Sequence, residues 1–445
     1  MPDVPIPGSL IDAADEAIER HRFDSVEFVA VDPLGVERGK WGPASSLRKA
    51  YESGIALPLS LHGLDRWGRE VPATGLHIES GDRDGTWWPV GPPRPAPWRE
   101  RSTAVVPVAA WTPRGKPFAG DPRHVGRAVD ERLAARGWQA ITAHELEFHL
   151  LRGGEPVGAG SVPGVEAQYM YDHVALGELG ALWDDVRRAA DLWHVPLDTV
   201  VNEAGPGQFE INLKHGDAGT AAEHAVQLRH IVQASAHARG YGATFMAKPF
   251  GHQPGNGFHV HASLYWVDGH RNVFGADPDL HRAAIAGLLA RMPESLLGLV
   301  ASWNGFRRLQ PGSYAPTRAV WGEDNRSVAV RVPRSSDEAR RFEHRIAGAD
   351  ANPFIVEALI LSAMLEGMEE GAQPPPPVPM GGNAYDGEGG EIPSDPWAAL
   401  AAHEGSDFTR RALGDTLATN LGHLLRVEFE TLATIVPEHE RETYL

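Results

Sequence analysis

The chain has 445 residues, 42% of them hydrophobic, which is enough for a substantial core and for two or three domains. Its formal net charge of −18 disfavours nucleic acids and anionic membranes as partners, and is compatible with cationic substrates or bound divalent metals. The absence of cysteine excludes disulfides, thiolate metal sites and cysteine nucleophiles.

Targeting segments are not predicted. No run of 18 apolar residues occurs, so the sequence predicts no membrane span. The first twenty residues lack the basic and apolar regions of a signal peptide. A cytoplasmic location is therefore expected.

The first part of the chain predicts a small, mostly β domain. A short helix is predicted over residues 8–21, and residues 25–43 alternate apolar and polar side chains around a turn at 32–35, which favours a hairpin. Residues 75–112 are rich in Gly, Pro and Trp. The composition changes at 113–116, so we expect one domain over 1–112 and a second over 113–445.

Helices and strands alternate in the second part. Helices are predicted over residues 121–136, 176–193, 219–239, 280–300 and 353–371, with two more closing the chain. Strands are predicted over 139–151, 197–213, 243–249, 257–266, 326–333 and 340–346. The turns between them favour a mixed or antiparallel sheet backed by helices over a doubly wound parallel sheet.

Common nucleotide and zinc motifs are absent. The chain has no G-x-x-x-x-G-K-[ST] segment, and GAGSVPG at 158–164 has the wrong glycine spacing for a dinucleotide loop. HELEFH at 144–149 misses the H-E-x-x-H spacing by one residue. Any nucleotide must therefore be bound in another way.

The informative pattern is polar side chains at spacing two within predicted strands, because residues two apart on a strand share a face. It occurs four times, as Glu145 and Glu147; Gln208 and Glu210, with Glu203 seven residues before; His259, His261 and Ser263; and Arg341, Glu343 and Arg345. One such strand is usually a solvated face. Four in one domain, each apolar on its other face, predict that the charged faces converge on one concave surface.

The chemistry of this set points to phosphoryl transfer. Five carboxylates cannot share a partly buried site without counter-charge, and glutamate oxygens with an imidazole suit Mg²⁺ or Mn²⁺. Arginines that would bind phosphate oxygens are Arg308, Arg326, Arg331, Arg341 and Arg345. Metals, carboxylates and arginines together predict ATP as a co-substrate.

The chain also resembles the glutamine synthetase family over about residues 22–445. The matching segments follow the family's order: HELEFHL, NEAGPGQFEINL, FMAKPFGHQPGNGFHVHASL, NGFRRLQPGSYAPTRAVWGEDNRSVAVRVP and RRFEHRIAGADANPFIVEALILSAMLEG. The resemblance implies an α+β fold. A small N-terminal β-grasp domain, carrying FVAVDPLGVERGK, would precede a large catalytic domain with a curved antiparallel sheet or barrel backed by helices.

The resemblance implies a role for each matching residue. The metal beside the acid substrate would be held by Glu147, Glu203 and Glu210, and the metal on the ATP phosphates by Glu145, His259 and Glu343. The transferred phosphoryl group would be bound by Arg326 and Arg331, with Arg341 close by, and the nucleotide would lie along His261 and Ser263. Glutamate would be held by Arg308, Arg345 and the backbone of Gly255.

Departures from the family bear on the amine. Where ammonium-using members carry a glutamate in the segment Pro-Gly-x-Glu-Ala-Pro, the chain has Tyr314 in PGSYAP. The ammonium-binding Asp-Gly-Ser-Ser segment of the small domain has no match, and the region LPLSLHGLDRWGREVPATGL is similar to γ-glutamylpolyamine synthetases and related amine ligases. Pro254 stands where an asparagine contacts glutamate, which leaves the acid open.

We therefore expect an ATP-dependent ligase that forms a γ-glutamyl amide from glutamate and an organic amine through a γ-glutamyl phosphate. Two alternatives remain open at this point: a glutamine synthetase that uses ammonium, and a catalytically silent structural relative. The resemblance further implies a homo-oligomer, a dodecamer of two hexameric rings.

Overall fold

The computed structural model of the protein describes residues 6–157, 170–269, 271–393 and 395–445. The glycine-containing segment at 158–164 lies outside the described residues.

The first part of the chain forms one sheet with two helices. Its elements are α1 (Gly8–His21), β1 (Ser25–Val31), β2 (Glu37–Pro43), α2 (Ser45–Ser53), β3 (Ile55–Pro58), β4 (Asp84–Pro89), β5 (Arg94–Pro95) and β6 (Thr103–Trp111). The sheet order is β2-β1-β6-β4-β3, with β5 also paired to β6. Strands β1 and β6 are parallel, and the other pairs are antiparallel.

The predicted hairpin is confirmed as β1 and β2. Its turn is stabilised by Asp32, whose Oδ1 accepts hydrogen bonds from the backbone N–H of Leu34 and Val36, both at 2.9 Å. The central strand β6 is buried along its whole length because neighbours cover it on both sides and on both faces. This explains its run of small and β-branched residues.

The second part adds further helices and a larger sheet. Its helices are α3 (Arg127–Ala134), α4 (His173–Glu178), α5 (Gly180–Trp193), α6 (Ala218–Ala238), α7 (Val273–Ala276), α8 (Pro278–Val300), α9 (Pro353–Glu370), α10 (Pro396–Glu404), α11 (Asp407–Leu413), α12 (Asp415–Ala433) and α13 (Glu438–Tyr444). Its strands are β7 (Trp138–Arg152), β8 (Glu155–Pro156), β9 (Leu197–Asn202), β10 (Gln208–Leu213), β11 (Gly216–Asp217), β12 (Gly242–Thr244), β13 (Phe258–Trp266), β14 (Trp321–Glu323), β15 (Val330–Val332) and β16 (Phe342–His344).

The larger sheet is built on β7, a strand of 15 residues. Its order is β14-β15-β16-β13-β7-β10-β9, while β8, β11 and β12 also pair with β7. All pairs are antiparallel except β14 with β15. This curled, mainly antiparallel sheet confirms the predicted fold class.

Helices α8 and α9 pack behind the sheet at close range. A side chain at Gly287 would lie 2.2 Å from the carbonyl oxygen of Ala363, and one at Gly367 would lie 2.3 Å from that of Ala283. Glycine at both positions lets the two backbones touch. Helix α8 is long and apolar enough to cross a membrane, but 78% of its apolar window is buried in the protein, so it serves as a core helix.

The structure corrects some predicted elements. Four helices follow residue 395 where two were predicted, because Gly405 and Gly414 end α10 and α11 after only two to three turns. The helix predicted over 121–136 begins with a 3₁₀ turn at Pro122–His124 before α3. The strand predicted over 243–249 ends at Thr244, because Lys248 N–H instead donates to the Asn304 side chain at 2.7 Å.

Buried apolar residues form two clusters. One lies within the first sheet and its helices, and the larger one joins Val31 of β1 and Leu34 of the following turn to the second part of the chain. The division at residues 112 and 113 stays a prediction.

Candidate active site

Strand register brings the predicted metal ligands together. In the antiparallel pairs, Glu145 lies opposite His259, and Glu147 lies opposite Glu210. Glu343 lies opposite both His261 and Arg331, on the two neighbouring strands. Residues directly opposite in such pairs have Cβ atoms about 4.5–5.5 Å apart. The predicted convergence of the charged faces is thus a consequence of register.

Glu145 is at the centre of the cluster. Its Oε1 lies 2.9 Å from Nε2 of His261, and its Oε2 lies 3.1 Å from Nδ1 of His259. Burial acts to raise the pKa of Glu145, but the hydrogen bonds from both imidazoles lower it well below its usual range. Arg341 Nε donates to His261 Nδ1 at 3.3 Å, so the proton of a neutral His261 is on Nε2.

Two further carboxylates, Glu203 and Glu210, have pKa values shifted in the opposite direction. Burial and the negative charge of Glu147 raise the pKa of Glu203 to about 7. Burial, Glu145 and Glu147 raise the pKa of Glu210 to about 9. Like charges in one partly buried site disfavour ionisation, and a cation between them would reverse both shifts.

Glu343 is fully buried between two guanidinium groups. Arg331 Nη1 lies 2.7 Å from Glu343 Oε2, and Arg345 Nη1 forms an ion pair with Oε1. Burial acts to raise the pKa of Glu343, but the positive charges of Arg345 and of the neighbouring histidines outweigh it. The pKa is lowered to about 2. The carboxylate is therefore ionised, and its loss would leave Arg345 without this buried partner and Arg331 with only Asp324, at 3.3 Å.

The donor set fits a divalent metal ion. Ligand atoms within 4.8 Å of one another form two overlapping groups: Glu145, His261 and Glu343, and Glu145, Glu210 and His259. Carboxylate oxygens and imidazole nitrogens without thiolate suit hard or borderline cations. The geometry differs from the implied division in two respects, since His261 lies within one group and Glu210 is grouped with Glu145 and His259.

Gly255 and Arg308 form the floor beside this cluster. A Cβ at Gly255 would lie 2.5 Å from the carbonyl oxygen of Ala247 and 2.8 Å from Cγ of Arg308, so only glycine fits. The Gly255 carbonyl accepts a hydrogen bond from Gln208 Nε2 at 3.0 Å. Arg308 is buried and donates Nη1 to the carbonyl of Ile346 at 2.8 Å, which fixes its guanidinium.

A cavity of about 500 Å³ lies on one side of the carboxylates. Glu145, His261, Ser263, Arg341 and Tyr265 are among its lining residues. The Ser263 hydroxyl donates to the carbonyl of Arg340 at 2.7 Å and accepts from Asn272 at 2.8 Å, so it is held by protein groups. The structure thus places His261, Ser263 and Arg341 in the lining of one cavity.

A smaller cavity of about 170 Å³ lies on the other side. The predicted site residues that line it are Glu147, Glu203, Glu210, Gly255, His259, Arg308, Tyr314, Arg326 and Arg345. Tyr314 is exposed at its mouth, and Arg326 contributes its positive charge near Glu203. Of the carboxylates, Glu145 lines the larger cavity, and Glu147, Glu203 and Glu210 line the smaller one.

Sequence reasoning missed residues in and near this smaller cavity. Met170 and Tyr171 line it, next to Tyr314. Tyr385 donates its hydroxyl to the carbonyl of Ala315 at 3.0 Å and so ties its loop to the segment that carries Tyr314. The loop NAYD at 383–386 is a weaker match to the glutamine synthetase family and is the sequence signal for Tyr385, whereas no local pattern marks Met170 or Tyr171.

Comparison with known proteins gives an independent result. The family model described as glutamine synthetase, catalytic domain, matches residues 119–444 of the sequence. The chain is 35% identical to "Gamma-glutamylputrescine synthetase PuuA" of Escherichia coli (strain K12), covering 88% of the chain and 86% of that protein. It is 32% identical to "Gamma-glutamylethanolamide synthetase GlnA4" of Streptomyces coelicolor, covering 78% of the chain and 76% of the relative.

Two further comparisons point to the same family. The "Glutamate--isopropylamine ligase" of a Pseudomonas species is 32% identical, covering 83% of the chain and 82% of the relative. The solved structure "Apo GmaS without ligand" superposes with a TM-score of 0.83 at 26% identity, covering 96% of the chain and 97% of that structure. The chain therefore belongs to the glutamine synthetase family, as predicted, and is an ATP-dependent ligase.

Proposed function

We propose that the protein joins the γ-carboxylate of glutamate to an organic amine, with ATP as the energy source. The observation that carries the proposal is Tyr314 at the mouth of the smaller cavity, beside Glu203 and Arg326. A phenol supplies no anion for ammonium, whereas its ring can contact the carbon atoms of an organic amine. The three relatives named for γ-glutamyl amides or for an amine ligase support this reading.

Phosphate oxygens would be bound by the arginines around the cluster. Arg331 reaches Glu343 from the side of β15, and Arg341 lines the larger cavity beside His261. Arg326 lines the smaller cavity, where the acid would lie. A phosphoryl group passing between the cavities would therefore meet guanidinium groups along its path, which stabilise the developing negative charge.

The acid substrate fits the floor of the smaller cavity. Arg308 and Arg345 are buried and line this cavity, and Gly255 lines it as well. Guanidinium groups fixed by protein carbonyls bind carboxylates with little loss of side-chain entropy. We assign the carboxylates of glutamate to these groups.

Divalent metal ions, Mg²⁺ or Mn²⁺, would be held by six residues: Glu145, Glu147, Glu203, Glu210, His259 and Glu343. The raised pKa values of Glu203 and Glu210 support this assignment, since they show negative charge that the protein alone does not balance. When bound, such ions neutralise phosphate charge and orient the phosphoryl group.

The reaction then has two steps. An oxygen of the γ-carboxylate, oriented by Arg308, attacks the γ-phosphorus of ATP, and the bond to ADP breaks. The amine nitrogen next attacks the carbonyl carbon of the acyl phosphate, phosphate leaves, and the nitrogen loses a proton. Arg326 and Arg331 stabilise the transferred group in both steps.

We further propose a cytoplasmic homo-oligomer of two hexameric rings, as in the family. Exposed apolar side chains on the first part of the chain support an interface there, among them Trp41, Trp67 and Ile78.

An amine panel tests the proposal. The protein is incubated with ATP, Mg²⁺, glutamate and either ammonium, methylamine, ethanolamine, isopropylamine or putrescine, and phosphate release and product mass are measured. We expect γ-glutamyl amides from at least one organic amine at a higher kcat/KM than for ammonium. Glutamine as the best product would favour a glutamine synthetase, and no ATP turnover with any amine would favour a silent relative.

A further inference from the structure

The smaller cavity has an outer wall that the catalytic roles leave unexplained. Met170, Tyr171 and Tyr314 all line it and are 42%, 66% and 65% exposed, respectively. Large apolar side chains are usually buried, and a group of them at the mouth of a cavity indicates contact with a ligand or partner. Because Arg308, Arg345 and Glu210 of the same lining are buried, this wall faces the end of the cavity from which an amine would enter.

The backbone at both tyrosines is also unusual. Tyr171 and Tyr314 each have a φ of 60°, and they are two of seven non-glycine residues with positive φ in the described part of the chain. This left-handed conformation disfavours a side chain with a Cβ, and in folded proteins such strain is concentrated at ligand clamps and active sites. Two exposed tyrosines in this conformation thus line one cavity.

Tyr171 is held in place from both sides. Its N–H donates to the carbonyl of Asn202 at 3.2 Å, next to Glu203. Asp172 caps helix α4 through hydrogen bonds to the N–H groups of Val174 and Ala175, at 2.8 and 3.1 Å. The ring is therefore attached to a fixed backbone beside the acid-side carboxylates.

We propose that Met170 and Tyr171, together with Tyr314, form the subsite that selects the amine by its carbon tail. The inference rests on the proposed function and narrows its substrate class to primary monoamines with a short, uncharged tail. Thioether and aromatic surfaces bind methylene groups. Among the described lining residues the carboxylates are Glu147, Glu203 and Glu210, all in the proposed metal cluster, so a second ammonium on the tail has no free anion to pair with.

A series of n-alkylamines measures the subsite directly. For methylamine, ethylamine and n-propylamine, kcat/KM should rise by up to about 4-fold for each methylene that the wall buries. In Tyr171→Gly this rise should be reduced to 2-fold or less per methylene. In Tyr171→Phe, which keeps the ring, the rise should persist. Because each value is a ratio within one variant, a general loss of activity does not affect it.

The glycine variant also separates a binding role from a structural one. Glycine adopts positive φ without strain, so Tyr171→Gly should unfold at the same temperature as the wild type or higher. Met170→Ala should also reduce the increase in kcat/KM per methylene. Met246 is equally exposed at 42% but lies outside this cavity, so Met246→Ala should leave the increase in kcat/KM per methylene unchanged.

Two results would overturn the inference while leaving the proposed function standing. One is an unchanged methylene dependence in both Tyr171→Gly and Met170→Ala. The other is a wild-type kcat/KM that is higher for putrescine than for n-butylamine, since this would require an anion at the end of the tail. Ammonium as the best substrate would instead contradict the proposed function itself.

Discussion

The two cavities that share the carboxylate cluster differ in how their walls are made. The larger one is lined mainly by the regular strands β7, β10 and β13, where register and hydrogen bonds fix Glu145, His261 and Ser263. The smaller one takes much of its outer wall from loops, including two tyrosines with positive φ. The carboxylates and imidazoles of the larger cavity are thus held by the sheet, whereas the outer wall of the smaller cavity is carried by loops, which tolerate change.

The sharpest test of the shared cluster is Glu343. We expect Glu343→Gln to lower ATP-dependent phosphate release by about 10³-fold, since one charged ligand and the counter-charge of Arg331 and Arg345 are lost together. Glu343→Ala should in addition destabilise the fold by about 3–5 kcal/mol, because the buried Arg345 loses its ion-pair partner and the half-buried Arg331 keeps only Asp324. Phosphate release and thermal unfolding are measured on both variants.

Glu338→Gln is the matched control for this test. Glu338 lies five residues earlier on an exposed 3₁₀ turn, and its substitution should change neither measurement appreciably. Wild-type phosphate release by Glu343→Gln would refute the metal assignment.

Arg326 tests the phosphoryl path into the smaller cavity. Arg326→Gln should reduce kcat by about 10²-fold, because one preorganised charge donor at the transferred group is removed. Arg334→Gln is the control, since Arg334 is exposed, pairs with Asp324 and does not line this cavity. A change restricted to the KM of the amine would contradict the role of Arg326 in phosphoryl transfer.

The pH dependence of metal binding distinguishes the two sides of the cluster. Glu203 and Glu210 have pKa values raised to about 7 and about 9, so metal binding must displace protons there. The affinity for Mn²⁺ should therefore increase between pH 6 and pH 8, by about 10-fold per unit for each proton displaced. Isothermal titration in buffers of different ionisation enthalpy measures both affinity and proton release.

The same shifts act on the stability of the metal-free protein. Between about pH 5 and pH 9 the folded state binds more protons than the unfolded state, so this contribution stabilises the fold at low pH and is lost as pH rises. The unfolding temperature should decrease over this range, and Glu210→Gln should reduce the decrease. An unfolding temperature that rises steadily from pH 6 to pH 9 in both proteins would contradict the raised pKa values.

The smallest effect is expected at Tyr314. Tyr314→Glu should change kcat/KM for ammonium by less than about 10-fold, because a single carboxylate does not replace the missing anionic segment of the small domain and would be repelled by Glu203 and Glu210. Tyr314→Phe serves as the control that keeps the ring. Efficient glutamine synthesis by Tyr314→Glu would show that this one position decides the amine.

Much of the fold was predictable because its elements carry strong local patterns. Helices α1, α6, α8 and α9 begin and end within a few residues of their predicted bounds, and β7 and β13 do so as well. Predictions were poorer where tertiary contacts override local preference. One example is residues 245–249, where the chain leaves the sheet and Lys248 bonds to Asn304 instead.

The sequence by itself determined which side chains share a face. Spacing two on a strand is sufficient for Glu145 with Glu147 and for His259 with His261, and the chemistry of these groups follows from their type. Only the tertiary structure decided which faces meet. Register between strands far apart in the chain sets Glu145 against His259 and Glu343 against Arg331, and loop conformation places Met170 and Tyr171 beside Tyr314. Such pairings depend on packing and on backbone strain, for which no local pattern exists.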